Sequence, residues 1–242
     1  ATGTYTVFVD PNYAVTASMQ VTVDPGIALV ADGASPIVTL NTTGQSGRLI
    51  FNATEGQNLG LGITGLTLTP TGSSFAYVTV YKPDGTALLG TSCSTSSTAS
   101  GGCGFNLSNV PVTGTYSIVV TPYVGGTGSF TATLSTDATG TLTSGTAYNL
   151  NLTRAGQNGR LTFSGTAATN RTITMTSIIS NPASQTVYFY IYKPDGSLWT
   201  SAGTSGSTYT WNLTSLPATG NYTLYVDPYY GQTETMSITL SP

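Results

Sequence analysis

The sequence predicts an all-β protein: two tandem β-sandwich domains of the jelly-roll or immunoglobulin-like kind, preceded by a β-hairpin from a partial repeat. Three observations carry this. Short alternations of apolar and polar residues, rich in Val, Ile, Tyr and Thr, are punctuated by Gly, Pro, Asn and Asp about every 12 residues. Whole segments return at a nearly constant offset. Finally, the opening ATGTYTVFVDPNYAVTASMQVTVDP aligns without a gap on the closing ATGNYTLYVDPYYGQTETMSITLSP, from Ala1 on Ala218 to Pro25 on Pro242, with 13 identities.

The repeats set the boundaries. VYKPDGTAL at 80–88 returns as IYKPDGSLW at 191–199, and FNLSNVPVTGTY at 105–116 as WNLTSLPATGNY at 211–222. GQSGRLIF at 44–51 returns as GQNGRLTF at 156–163. Repeat one is therefore expected at 26–136 and repeat two at 137–242, with residues 1–25 the tail of a repeat whose first part is absent.

In repeat one, strands are expected near 37–41, 47–53, 58–69, 75–82, 86–93, 103–107, 114–122 and 128–135. Eight short strands in one repeat suit a sandwich. KPDG is a type I turn, with Pro fixing φ and Gly closing. In VYFYIY the alternation sends Val187, Phe189 and Ile191 inward, and Tyr188, Tyr190 and Tyr192 outward. Tyr222, Leu224 and Val226 likewise go in, leaving Tyr225 out. The outward Tyr188, Tyr190, Tyr192 and Tyr225, with Trp199, have two readings: cross-strand packing on a Thr-rich face, or a surface for a sugar or another subunit.

The terminal stretch reads as strands near 3–9 and 16–23, with Tyr5, Val7, Val9, Val21 and Val23 forming an assembly face. An isolated hairpin is marginal in water. It needs a sheet from a neighbouring subunit, from an adjoining repeat, or from its own first repeat.

Composition narrows the function. Charged residues make up 6%, against about 25% in an ordinary soluble domain. Few charges leave sheet edges poorly protected against association. Six scattered basic residues argue against nucleic acid. No apolar run approaches the roughly 18 residues of a spanning helix. The chain starts without Met or a signal peptide, and so reads as a mature or excised segment.

Cys93 and Cys103 flank a Ser/Gly loop, and the chain has no His, so a zinc site lacks ligands. A disulfide is the expected pairing, with reduced cysteines on facing strands the alternative. A disulfide implies an oxidising, extracellular setting. Without His no Ser-His-Asp or Cys-His site can form. The carboxylates mostly adjoin Pro or Gly in turns, so no catalytic residue, cofactor or metal site is expected. Asn41, Asn52, Asn106, Asn151, Asn170, Asn212 and Asn221 each head an N-x-S/T sequon, the candidate glycosylation sites. LPATG at 216–220 copies a sortase signal but runs straight into a strand.

Lys82-Pro83-Asp84-Gly85, Lys193-Pro194-Asp195-Gly196, Gly114 with Tyr116, Gly220 with Tyr222, and Asp227-Pro228 resemble motifs of secreted bacterial β-sandwich repeats. The chain is similar both to pre-peptidase C-terminal domains and to tandem repeats of giant surface and filament proteins. The resemblance implies an extracellular, non-catalytic module for spacing, adhesion or polysaccharide contact. The expected function is thus a structural segment of an extracellular filament, stalk or adhesin, with itself as partner. The alternative is a carbohydrate-binding accessory module whose partner is a glycan.

Overall fold

A computed structural model describes residues 24–69, 74–95 and 102–242, together with residues 4, 6–10, 16, 18, 19 and 21. The first repeat comprises β1 (Ile27–Ala28), β2 (Ile37–Leu40), β3 (Gly47–Ala53), β4 (Leu59–Thr69), β5 (Phe75–Tyr81), β6 (Ala87–Ser94), β7 (Gly102–Leu107), β8 (Gly114–Pro122) and β9 (Thr127–Thr136). The second comprises β10 (Ala138–Thr141), β11 (Ala147–Leu152), β12 (Gly159–Gly165), β13 (Arg171–Asn181), β14 (Val187–Tyr192), β15 (Leu198–Thr204), β16 (Tyr209–Leu213), β17 (Gly220–Pro228) and β18 (Thr233–Ser241). Each of the eight strands expected in repeat one has its counterpart here, shifted by a residue or so at the ends.

The strand order chooses between the two kinds of sandwich. In the second repeat one sheet runs β10-β12-β17-β14-β15 and the other β11-β18-β13-β16. From β11 onward this is a jelly roll: eight strands in two four-stranded sheets, the first beside the last. The first repeat has the same order, β1-β3-β8-β5-β6 and β7-β4-β9-β2, its two layers joined where β6 meets β7. Sequence reading missed β1. It is two residues long, and it is held by parallel pairing of Ile27 with Leu49 and of Ala28 with Ile50. Its counterpart β10 pairs in parallel with β12.

Alternation builds the two cores as expected. Val187, Phe189 and Ile191 are fully buried, as are Tyr222, Leu224 and Val226. In the first repeat Ala76, Val78 and Val80 play the part of the first three. Tyr116 and Tyr222 are completely enclosed although each carries a hydroxyl. The Tyr222 hydroxyl donates to the Ala218 carbonyl at 2.7 Å and accepts from the Ala218 N–H at 2.9 Å. Tyr116 does the same with Val112, at 2.7 and 3.3 Å. Each ring thus brings its own polar partner into the core, as a buried hydroxyl must. LPATG is the loop that supplies this partner: Leu216 is buried and exchanges backbone bonds with Ala168 and Thr169.

The cysteines form the disulfide Cys93–Cys103. It links β6 to β7, and so staples the two sheets of the first repeat at the corner where the Ser94–Gly102 pair also joins them. Closing a loop of this length contributes roughly 3 kcal/mol in the chain-entropy model.

Within each repeat the first and last segments run the same way. In the second, Ser144 bridges Leu240 in parallel. In the first, the chain leaving β1 reaches Asp32, whose N–H donates to Leu134 O at 2.9 Å and whose carboxylate accepts from the Thr136 N–H at 3.0 Å, beside the end of β9. The chain therefore enters each sandwich at one end and leaves it at the other.

Of the terminal hairpin, Tyr5 and Val23 lie outside the described residues. Val7, Val9 and Val21 are exposed, and residues 6–10 form no strand.

Candidate functional site

Only Asp137 separates β9 from β10. The two repeats meet there, and the second sits on the first through two backbone features. One is the loop around Arg154–Gly156. The other is the 3-10 turn Tyr229–Gly231, in which Tyr230 takes φ 56° and Gly231 φ 71°. The first repeat makes the same turn at Tyr123–Gly125, with Val124 at φ 53° and Gly125 at φ 70°, so the turn belongs to the repeat's own fold.

The surface they meet is bare of side chains at three positions. Gly60 and Gly62 on β4 and Gly104 on β7 point outward in register, Gly62 paired with Gly104. A Cβ on Gly60 would fall on the Gly156 carbonyl, one on Gly62 would come within 2.5 Å of the Ala155 carbonyl, and one on Gly104 within 2.7 Å of the Gly231 nitrogen. By ladder register, the matching positions of the second repeat hold Thr172, Thr174 and Thr210.

Polar side chains lock the junction. Arg154 Nη2 donates to Gly33 O at 2.7 Å and its Nε to Ser135 Oγ at 2.9 Å. Asn158 Nδ2 donates to Asn106 Oδ1 at 3.0 Å, and Asn106 Nδ2 donates to Asp227 Oδ2 at 2.9 Å. Burial pushes the Asp227 carboxyl up to about 6; the Asn106 bond offsets part of this and Asp137 adds to it. Asp137 is itself paired with Arg160 at 2.9 Å.

Beside this chain of amides lies a cavity of about 290 Å³. Its first-repeat wall includes Thr91, Ser92 and Cys103, and its second-repeat wall includes Asp227, Tyr229 and Tyr230. Tyr229 and Tyr230 have ring centroids 3.7 Å apart, and Tyr188 meets Tyr229 edge-on at 5.5 Å.

The expected aromatic row is divided. Tyr188, Tyr190 and Tyr192 stand half-buried on the outward face. Tyr225 is only 5% exposed, a correction: the Arg160 guanidinium lies 4.7 Å over its ring, and Ser108 of the first repeat lies against it. Trp199 is half-buried and packs against the second core, 6.0 Å from Tyr222. All seven sequon asparagines are exposed, but the Asn106 amide nitrogen is engaged with Asp227. Asp84 and Asp195 are turn elements, accepting from the N–H and hydroxyl of Thr86 and Ser197. Among the described residues no three His, Cys, Asp or Glu side chains cluster as metal ligands.

No protein-family model matches this chain, and no curated protein does. Among solved structures it is similar to the pre-peptidase C-terminal domain of a collagenase from Bacillus anthracis: 16% identity, 43% of this chain and 94% of that one, TM-score 0.33. It is similar to a periplasmic inhibitor of g-type lysozyme from Aeromonas hydrophila at 12% identity, over 43% of this chain and 99% of that one, TM-score 0.27. A protein from Eubacterium rectale described as secreted matches at 13% identity, over 90% of this chain and 79% of that one, TM-score 0.32. Likeness this loose carries no function across.

Proposed function

We propose that this chain is a structural segment of an extracellular stalk, filament or adhesin built from tandem jelly-roll repeats, with no catalytic role. One observation carries the reading: each sandwich takes the chain in at one end and releases it at the other, and the second is seated flush on a glycine face of the first. Repeats joined in this way stack end to end. The disulfide fits an oxidising compartment, and a surface poor in charge leaves edges open to pairing.

The N-terminal hairpin belongs, in this reading, to a repeat other than these two. Its counterparts are β8 with β9 and β17 with β18, and both pairs already fill their places here. Its partner is a neighbouring subunit or an adjoining stretch of the same polypeptide.

Electron microscopy of the native secreted material, with intact mass on the same sample, tests the proposal. Regular filaments of chains near 24.8 kDa, or a far larger chain forming thin stalks, are the expected results. Monodisperse particles of single short chains would overturn it.

A further inference from the structure

The cavity between the repeats adjoins the hydrogen bonds that lock the joint, and Asn106, Asn158 and Asp227 belong to its lining. Its chemistry restricts what could fill it. Asp227 repels an anion, and among the described residues no cation pairs with it. A hard cation wants several oxygen ligands, whereas Asp227 stands with two amides, Asn106 and Asn158, whose nitrogens donate. The bonds linking Asp227, Asn106 and Asn158 use only part of their hydrogen-bonding capacity, and an apolar ligand would leave the rest unmet. A neutral ligand bearing several hydroxyls suits all of them. Asp227 Oδ1 accepts from one hydroxyl, and the second hydrogens of Asn106 and Asn158 donate to others. The tyrosines at the rim give a sugar ring a face to stack on.

Size agrees. A volume of about 290 Å³ falls just short of the range for ligand pockets, roughly 300 to 1,000 Å³, and suits no more than one small polar unit. The site is also particular to this joint. The first repeat has Thr121 at the position of Asp227, and there it bonds Ser46 at 2.9 Å. In the second repeat the carboxylate instead reaches across the joint to Asn106 and lines the cavity.

We propose that the cleft between the repeats binds a single neutral pyranose unit of a glycan, held by Asp227, Asn106 and Asn158 and stacked on Tyr229 and Tyr230. This goes beyond the structural role and stands or falls separately from it.

The test uses the whole isotope-labelled chain, titrated with the methyl glycosides of glucose, galactose, mannose and N-acetylglucosamine and followed by NMR. At least one glycoside shifts the signals of Asn106, Asn158 and Tyr230 saturably. Tyr229→Ala and Asp227→Asn each weaken that binding about tenfold, the loss of one charge-assisted hydrogen bond or one stacking face. In both variants the Gly60 and Gly156 amide signals stay in place, which separates a lost site from an opened joint. Three results would overturn the proposal: no saturable shift up to the solubility limit, shifts unaffected by both variants, or the same signals answering to calcium chloride but to no glycoside. None of these bears on whether filaments appear in micrographs, so the structural reading is judged independently.

Discussion

The carbonyl oxygen of Gly156 occupies the place where a Cβ on Gly60 would have to be. At these glycines the joint between the repeats is therefore a contact of backbone on backbone, and it tolerates no side chain there. The second repeat offers the natural substitution, since its matching face carries threonine. Gly60→Thr, Gly62→Thr and Gly104→Thr together should leave each sandwich folded, threonine being the better strand residue, while unseating one from the other. Small-angle scattering should then show a larger radius of gyration with unchanged far-ultraviolet circular dichroism. An unaltered scattering curve would mean that the joint is held elsewhere.

Cys93 and Cys103 staple the two layers of the first repeat only. Replacing both by alanine should lower the stability of that repeat by about 3 kcal/mol and leave the second repeat's transition where it was. Calorimetry on the two proteins resolves this as two transitions, of which one moves.

Tyr222 and Tyr116 do the same work with different geometry. Tyr222→Phe strands the Ala218 N–H and carbonyl and should cost about 1 to 3 kcal/mol. Tyr116→Phe should cost less, because its second bond, at 3.3 Å, is the longer one. Chemical denaturation of both variants gives the order, and the reverse order would refute the comparison.

Glu234 is 1% exposed and bonded to Ser180 and Gln232, and burial pushes its carboxyl up to about 7. Asp227 is pushed up to about 6, also by burial. A carboxyl raised in the folded state favours folding fully below its unfolded value near 4, and that contribution is lost as pH rises through the folded value. The protein should therefore melt higher at pH 5 than at pH 8. Glu234→Gln should remove on the order of 2 kcal/mol of that difference. Asp195 acts in the opposite sense, lowered to about 2 by its Ser197 hydrogen bonds, so its contribution is lost only in stronger acid. Melting temperatures across this range, in wild type and variant, provide the check.

The sandwiches were legible because alternation and turn chemistry are local. VYFYIY assigns its own faces, and KPDG its own turn. Tyr225 was misplaced because its surroundings are not local: Arg160 and the first repeat cover it. The glycine face did leave a trace. LGLGITG at 59–65 is a strand with glycine at alternate positions, and glycine inside a strand marks a close approach by another backbone. Asn158, Arg154 and Asp227 left no such trace, since their roles come from a register between repeats that periodicity does not encode.

The parallel course of the first and last segments in each sandwich decides how it would bear tension. A pull on the two ends of a repeat is directed along both strands in opposite senses, so it shears their ladders. In shear, the hydrogen bonds of β10 against β12 and of β18 against β11 and β13 carry the load together and must fail together. Strands leaving from the same end would instead be peeled apart one bond at a time. A tether made of such units yields late and abruptly.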